Sequence, residues 1–300
     1  MYTEKDVPDQ VGRTFFVTGA NTGIGFEAAR VLAQRGARVL LGCRSEDKAQ
    51  AAIARIQAET SGAELRYIPL DLASLASVAA AAEAVQDEPR LDVLINNAGV
   101  MMPPKTLTEE GFESQFGINH LAHFALTGLL LPTLMSQADA RVVNVASSAH
   151  KFGRIDYSDP HAQQSYRAGA RYGMSKLANL LFTFELQRRL QAADTALDVI
   201  ACHPGGADTE LARHFPKGLY TVVQPLARLV MNTAAEGALP TLRAATDPQA
   251  LGGEYYGPAG LFEIARSAVK VVPSSQARDE ADARRLWELS VELTGVQPFS

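Results

Sequence analysis

Thr18-Gly19-Ala20-Asn21-Thr22-Gly23-Ile24-Gly25 is the stretch on which the architecture of this chain turns. It follows a short β-branched and aromatic run, Thr14–Thr18, and precedes an Ala/Leu-rich segment with helical spacing, Phe26–Arg35. A strand, a tight Gly-rich turn and a helix in that order bring backbone N–H groups and the positive helix end to a place where a pyrophosphate can sit. Glycine is needed because the backbone must bend sharply and approach the anion with no Cβ between them. A Gly-rich turn alone is weak evidence, so its surroundings have to carry the reading.

The surroundings repeat the unit. Apolar runs at Arg38–Cys43, Leu65–Leu70, Val93–Asn96 and Val142–Val145 alternate with helical segments such as Glu46–Glu59 and Leu75–Val85. A further helix is expected from about Tyr172 to Leu190 and a strand at Leu197–Cys202. Alternating strands and helices predict βαβ units, and continuous apolar strands predict a sheet covered on both faces. Right-handed crossovers then give an α/β, single-domain, doubly wound Rossmann fold with a parallel sheet, helices on both faces and a C-terminal helix. One domain over 1–300 is expected, because no linker or composition break appears. Three segments read as additions: a polar surface insertion at 151–171, an apolar flap at 205–232 and a tail helix over 274–295. The tail would be capped by Ser274 or Ser275 and stopped by Gly295, with Leu286, Leu289 and Leu293 on one face and a Glu280–Arg284 pair.

Composition excludes several classes. The chain has 300 residues, net charge −5 and no cluster of five basic residues, so a nucleic-acid partner is not expected. Cys43 and Cys202 are far apart at the ends of apolar runs, which suggests reduced, buried thiols. Met1–Gln10 is polar, and the longest apolar stretch, Phe124–Leu134, is short for a bilayer. A cytoplasmic protein without an integral membrane segment is expected. His120 and His123 have metal-pair spacing but lack further ligands, so no metal is expected. No Gly-x-Ser-x-Gly elbow occurs, which leaves a serine hydrolase without its nucleophile.

Tyr172 and Lys176 stand four apart on an expected helix, hence on one face. A phenol serves as acid or base only if its proton is loosened, and a nearby ammonium would lower its pKa. None of the other seven tyrosines has Lys four residues on.

Taken together, TGxxxGxG, Asn96-Asn97-Ala98-Gly99, Tyr172-Gly-Met-Ser-Lys176 and Pro204-Gly205 with Thr209 resemble, in order, the motifs of the classical short-chain dehydrogenase/reductase family. The resemblance covers most of the chain. It implies a dinucleotide held by Gly19, Asn21, Thr22, Gly23, Ile24, Gly25, Asn97, Ala98, Gly99, Pro204, Gly205 and Thr209, with Lys176 on the nicotinamide ribose and Tyr172 beside it. It implies adenine contacts from Asp71 and Leu72, although Asp71 also suits a helix-start role before Ser74. The family's catalytic serine matches Ser148, with Ser147 as the alternative, and Asn119 completes its tetrad. Ser148-Ala-His150, Ser175–Asn179 and Leu286–Ser290 look like the retinol dehydrogenase-like branch, as a soluble member.

In this resemblance the acidic residue of NAD-preferring members aligns with Cys43, and Arg44 follows. A planar cationic fork suits a 2′-phosphate, and Lys48 adds charge one turn on; both could also be ordinary solvated residues. NADP(H) is therefore expected over NAD(H), which stays possible. The expected reaction interconverts a carbonyl and an alcohol. The substrate would be a small apolar molecule if the flap residues Leu211, Phe215, Leu219, Tyr220, Val222, Val223 and Leu226 form a lid rather than pack a helix. A cofactor-binding regulatory or interaction protein on the same fold is the alternative. Dehydration or isomerisation is a third. A homodimer or homotetramer through the helices bearing Asn119 and Tyr172 is possible by resemblance, unless the insertion interferes.

Overall fold

The computed structural model describes residues 2–205, 232–260 and 267–299. Eight strands form one sheet in the order β3-β2-β1-β4-β5-β6-β7-β8. They are β1 Thr14–Thr18, β2 Arg38–Cys43, β3 Leu65–Pro69, β4 Val93–Asn96, β5 Arg141–Val145, β6 Asp198–Cys202, β7 Tyr255–Pro258 and β8 Ala268–Lys270. All neighbours run parallel except β7 and β8. The helices are α1 Gly23–Gln34, α2 Glu46–Glu59, α3 Leu75–Gln86, α4 Ser114–Met135, α5 Ala168–Ala192, α6 Ala234–Thr246 and α7 Glu280–Thr294.

Every residue of β1 is buried, because helices cover both faces and alternate side chains feed opposite cores. Phe15, Val17, Val39 and Leu41 pack with α1, α2 and α6 residues. Phe16, Leu40, Leu94 and Val142 pack with α3, α4 and α5 residues. The chain winds from β1 outward to β3, then crosses back to β4 on the other side of β1. That reversal opens a crevice above the carboxyl ends of β1 and β4.

Helix α4 has the length and hydropathy of a membrane span, longer than the Phe124–Leu134 run suggested, with a mean hydropathy of 1.2 over its best window. Yet 72% of that window is buried inside the protein, so it is a core helix here. Its second turn, Gly117–Leu121, is a π turn that carries Asn119. Helix α7 lies across α4 and α5. Trp287 meets Phe124 edge-on at 5.1 Å and Phe182 at 6.0 Å, and the Arg189 guanidinium sits 4.3 Å over its ring. After α7, Val296 and Pro298 fill the dent at Gly128, where a Cβ would come within 2.6 Å of Val296 Cγ1.

Two local expectations need correcting. Helix α7 is capped by Asp279, which accepts from Ala281 N and Asp282 N, and not by Ser274 or Ser275; a short 3-10 turn, Gln276–Arg278, separates those serines from it. Gly295 ends the helix at φ 69°, and the Glu280–Arg284 pair forms at 3.4 Å. The 151–171 insertion is not a bare surface excursion. Asp159 is buried and accepts three backbone N–H bonds, from Gln163, Gln164 and Ser165. Buried Arg171 pairs with Asp159 at 3.4 Å, His161 stacks on Phe112, and Lys105 Nζ donates to Ala162 O at 2.6 Å. The residues looked solvated in sequence because they are polar, but they satisfy one another. Both cysteines are buried and unpaired. The seven apolar residues of the expected flap lie outside the described residues.

Candidate active site

The Gly-rich turn is built as the phosphate argument requires. Gly19 and Gly23 take φ of 69° and 58°, a region that strains other residues. A Cβ at Gly25 would fall 2.5 Å from both Gly19 O and Asn97 Nδ2, so this turn closes only with glycine. Thr22 precedes α1 but its side chain makes no capping bond, leaving the first-turn N–H groups unclaimed by it. A dinucleotide pyrophosphate fits this cradle.

Across the crevice the ends of β1 and β4 are tied together. Thr18 Oγ1 accepts from Asn97 N at 3.0 Å and Ala98 N at 2.9 Å, and Asn97 Nδ2 donates to Thr18 O at 2.8 Å. A cleft of about 440 Å³ runs from the turn to the start of α5. Its walls include Gly19, Asn21, Thr22, Gly23, Ile24, Gly25, Asp71, Leu72, Asn97, Ala98, Gly99, Pro204, Tyr172 and Lys176. Gly205 stands just outside it, with its N–H donating to His203 Nδ1 at 3.2 Å. Thr209 lies outside the described residues. Asp71 Oδ1 accepts from Ala73 N, so it shapes the turn before α3 as well as the cleft, while Ser74 caps the helix.

At the far mouth, Arg44 and Lys48 are exposed and line the cleft. The residue before them, Cys43, is a buried thiol pushed up to about 11 by burial, hence neutral. The last residue of β2 is this thiol, and Arg44 and Ser45 follow it, so these three positions carry no carboxylate.

The inner end gathers the reactive groups. Tyr172 is buried, at 7% exposure, and the Ser147 side chain is the neighbour that favours its ionised form. Ser148 is exposed and belongs to the 3-10 turn that leaves β5. Of the two serines, Ser147, extended at the strand end, is the one that acts on the Tyr172 phenol, whereas Ser148, the first expectation, is exposed. Ser147 is further fixed by its Oγ accepting from Ala149 N at 3.2 Å and its carbonyl meeting His150 Nδ1 at 2.7 Å. The expected lowering of the phenol by Lys176 is also corrected. Burial raises the Tyr172 pKa, and among the described residues the Ser147 side chain opposes it. Lys176 Nζ instead donates to Val145 O at 2.9 Å and lies 5.9 Å from the Tyr172 ring centroid. Burial pulls the Lys176 ammonium down to about 8.

Asn119 stands behind the cleft wall, fully buried. Its Oδ1 accepts from Val100 N at 2.8 Å, and its Nδ2 donates to Val100 O at 3.0 Å and Ser175 Oγ at 2.9 Å. Gly99 passes between Asn119 and Lys176, where a Cβ would lie 3.1 Å from Asn119 Oδ1. His120 and His123 do not converge: one meets Ser290 Oγ, the other Thr18 Oγ1. Among the described residues no cluster could hold a metal ion. Sequence reasoning missed Ser147 as first choice and Thr18 altogether, although Thr18 opens the Gly-rich motif.

The chain matches the family model of the short chain dehydrogenases over residues 13–219. Mouse retinol dehydrogenase 14 is 42% identical over 302 residues, covering 95% of this chain and 86% of that protein. Human retinol dehydrogenase 13 is 43% identical over 296 residues with the same coverages. Among solved structures, an uncharacterised protein from Mycobacterium paratuberculosis is 40% identical with a TM-score of 0.81, covering 99% of this chain and 98% of that one. A short chain dehydrogenase from Shigella flexneri, solved with NADP, is 27% identical with a TM-score of 0.64 over 82% of this chain and 97% of that one. The chain belongs to the short-chain dehydrogenase family, in its retinol dehydrogenase-like branch, and is an oxidoreductase of the alcohol–carbonyl class.

Proposed function

We propose that the protein is an NADP(H)-dependent oxidoreductase that interconverts an apolar carbonyl and its alcohol, with Tyr172 as acid/base. The observation that carries this reading is the buried Tyr172 phenol, beside Ser147 and one turn from Lys176, at the inner end of a cleft that begins at an uncapped helix start. The bound dinucleotide would supply or take the hydride. Tyr172 gives its proton to the carbonyl oxygen, and Ser147 donates a second hydrogen bond to that oxygen. A phenol raised by burial is neutral, which is the form that protonates, so the geometry suits reduction. Lys176 and Asn119 hold the cofactor side of the cleft, Lys176 through Val145 and Asn119 through Val100.

NADP(H) is favoured over NAD(H) by the two cations at the cleft mouth and the neutral thiol at Cys43. The Shigella relative was solved with the same cofactor. Val100, Met101 and Ile118 line the cleft, which suits an apolar substrate. The relatives' name fits that class without fixing the molecule. The homodimer or homotetramer stays an expectation by resemblance; the cover of α7 over α4 and α5 argues against pairing through those two helices. We place it in the cytoplasm on its reduced, buried thiols.

Following NADPH and NADH oxidation over a panel of aromatic ketones, long aldehydes, quinones and steroids tests the reading. Tyr172→Phe should bind NADPH as the parent does and turn nothing over. Arg44→Asp should reverse the cofactor preference. Turnover by Tyr172→Phe, or unchanged NADPH selectivity in Arg44→Asp, refutes the corresponding assignment.

A further inference from the structure

His123 has no part in the chemistry above, yet it is a fully buried polar residue within two bonds of both halves of the site. Its Nε2 lies 3.0 Å from Thr18 Oγ1 and its Nδ1 lies 3.1 Å from the carbonyl oxygen of Asn119. The hydrogen positions follow from the partners. A carbonyl oxygen can only accept, so Nδ1 carries the proton. Thr18 Oγ1 already accepts two backbone N–H bonds, from Asn97 and Ala98, which occupy both its lone pairs. Thr18 must then donate its own proton, and Nε2 is its near acceptor; the other carbonyl in reach, Ile95 O, is at 3.4 Å. A doubly protonated ring would set an N–H against a saturated oxygen.

These bonds close a ring. Thr18 holds the backbone of Asn97 and Ala98, the chain runs on through Gly99 to Val100, Val100 is clamped at both N–H and C=O by the Asn119 side chain, and the Asn119 carbonyl returns through His123 to Thr18. Remove His123 and, among the hydrogen bonds of the described residues, the π turn with Asn119 reaches Thr18 through the segment it is meant to hold. We infer that His123 is a positioning residue that, as the neutral Nδ1–H tautomer, locks the Asn119 turn to Thr18 and so fixes the 97–100 wall of the cofactor cleft. Burial and the neighbouring Lys176 charge hold His123 down at about 4, consistent with a ring that stays neutral. The functional consequence rests on the proposed NADP(H) function; the tautomer does not.

Two measurements test this. Long-range 1H–15N spectra of protein labelled at histidine, with the His123 signal identified by its loss in His123→Gln, should show at pH 7 a protonated Nδ1 and an unprotonated Nε2. A protonated Nε2, alone or with Nδ1, overturns the inference whatever the variants do. For the variants, NADPH titration and turnover are compared in His123→Leu and His123→Gln. Leucine fills the space but bonds nothing, so about a tenfold loss in NADPH affinity and in kcat is expected, the scale of one or two lost hydrogen bonds. Glutamine can donate and accept, and should recover most of both. A purely packing role predicts the opposite ranking, and leucine at parental values or glutamine no better than leucine overturns the inference. If the parent itself binds no NADPH, the proposed function fails while the tautomer result still judges His123.

Discussion

Ser147→Ala and Ser148→Ala separate two readings of one dipeptide. Tyr172 is 7% exposed, and among the described residues Ser147 is the side chain that favours its ionised form. A donor aimed at a developing oxyanion in such a dry place is worth about 2.7–4 kcal/mol, so Ser147→Ala should lower kcat by about 10²–10³-fold. Ser147 is placed on the substrate oxygen rather than on the dinucleotide, so NADPH affinity should hold. The same change removes the described side chain that opposes the rise of the phenol, so Tyr172 should titrate later still in an ultraviolet titration. Ser148 is exposed in the turn beyond, and Ser148→Ala should leave kcat within about twofold, as surface changes do. The assay is steady-state NADPH oxidation with the best carbonyl of the panel, alongside fluorescence titration of NADPH. A Ser148→Ala enzyme as impaired as Ser147→Ala, or a Ser147→Ala enzyme with parental kcat, would refute the geometry.

Other outcomes follow from burial. His120 and His123 are held at about 3 and about 4, against 6.5 for a free histidine, so the unfolded chain binds protons that the folded one refuses. Stability should therefore be full above pH 6.5 and fall as pH drops below it, by about 2.7 kcal/mol per pH unit for the pair, with His161 adding in the same direction. Urea unfolding at pH 7.5 and pH 5.0 measures this, and an equal midpoint at both would contradict neutral buried rings. Trp287→Ala should cost about 3–5 kcal/mol in urea unfolding, because the indole fills the junction of Phe124, Phe182 and Arg189. Its kcat should change little at 25 °C, as none of those side chains lines the cleft.

Strands β1, β2, β4, β5 and β6 were legible because a sheet covered on both faces leaves mostly apolar runs, edge strand β3 from its short Leu65–Leu70 run although only Ile68 of its five residues is buried, and Glu46–Glu59 because its ends are polar and its period clear. Strands β7 and β8 were not, since four and three residues with Gly257 and Pro258 among them carry no period. The insertion misled for a physical reason: Asp159 and Arg171 are charged, and only contacts across 12 residues show that each answers the other. Ser147 and Ser148 could not be ordered from composition. Which of two adjacent serines faces the site depends on where the strand gives way to a 3-10 turn, and one residue of shift swaps them. Tyr172 and Lys176 could be placed because a helix fixes which residues share a face, but their mutual charge effect could not, because Val145 O captures the ammonium.

The covering of α4 by α7 sets a timetable for synthesis. Met135 ends the apolar helix, and Trp287, which seals part of it, comes 152 residues later (287 − 135). At the usual pace of translation, about 5–20 residues per second, that is roughly 8–30 s during which a nascent chain carries a helix of membrane-like hydropathy with one side uncovered. A chaperone that reads apolar helices would meet this one early, and a ribosome that stalls between Met135 and Trp287 leaves a product in which α4 lacks the cover of α7.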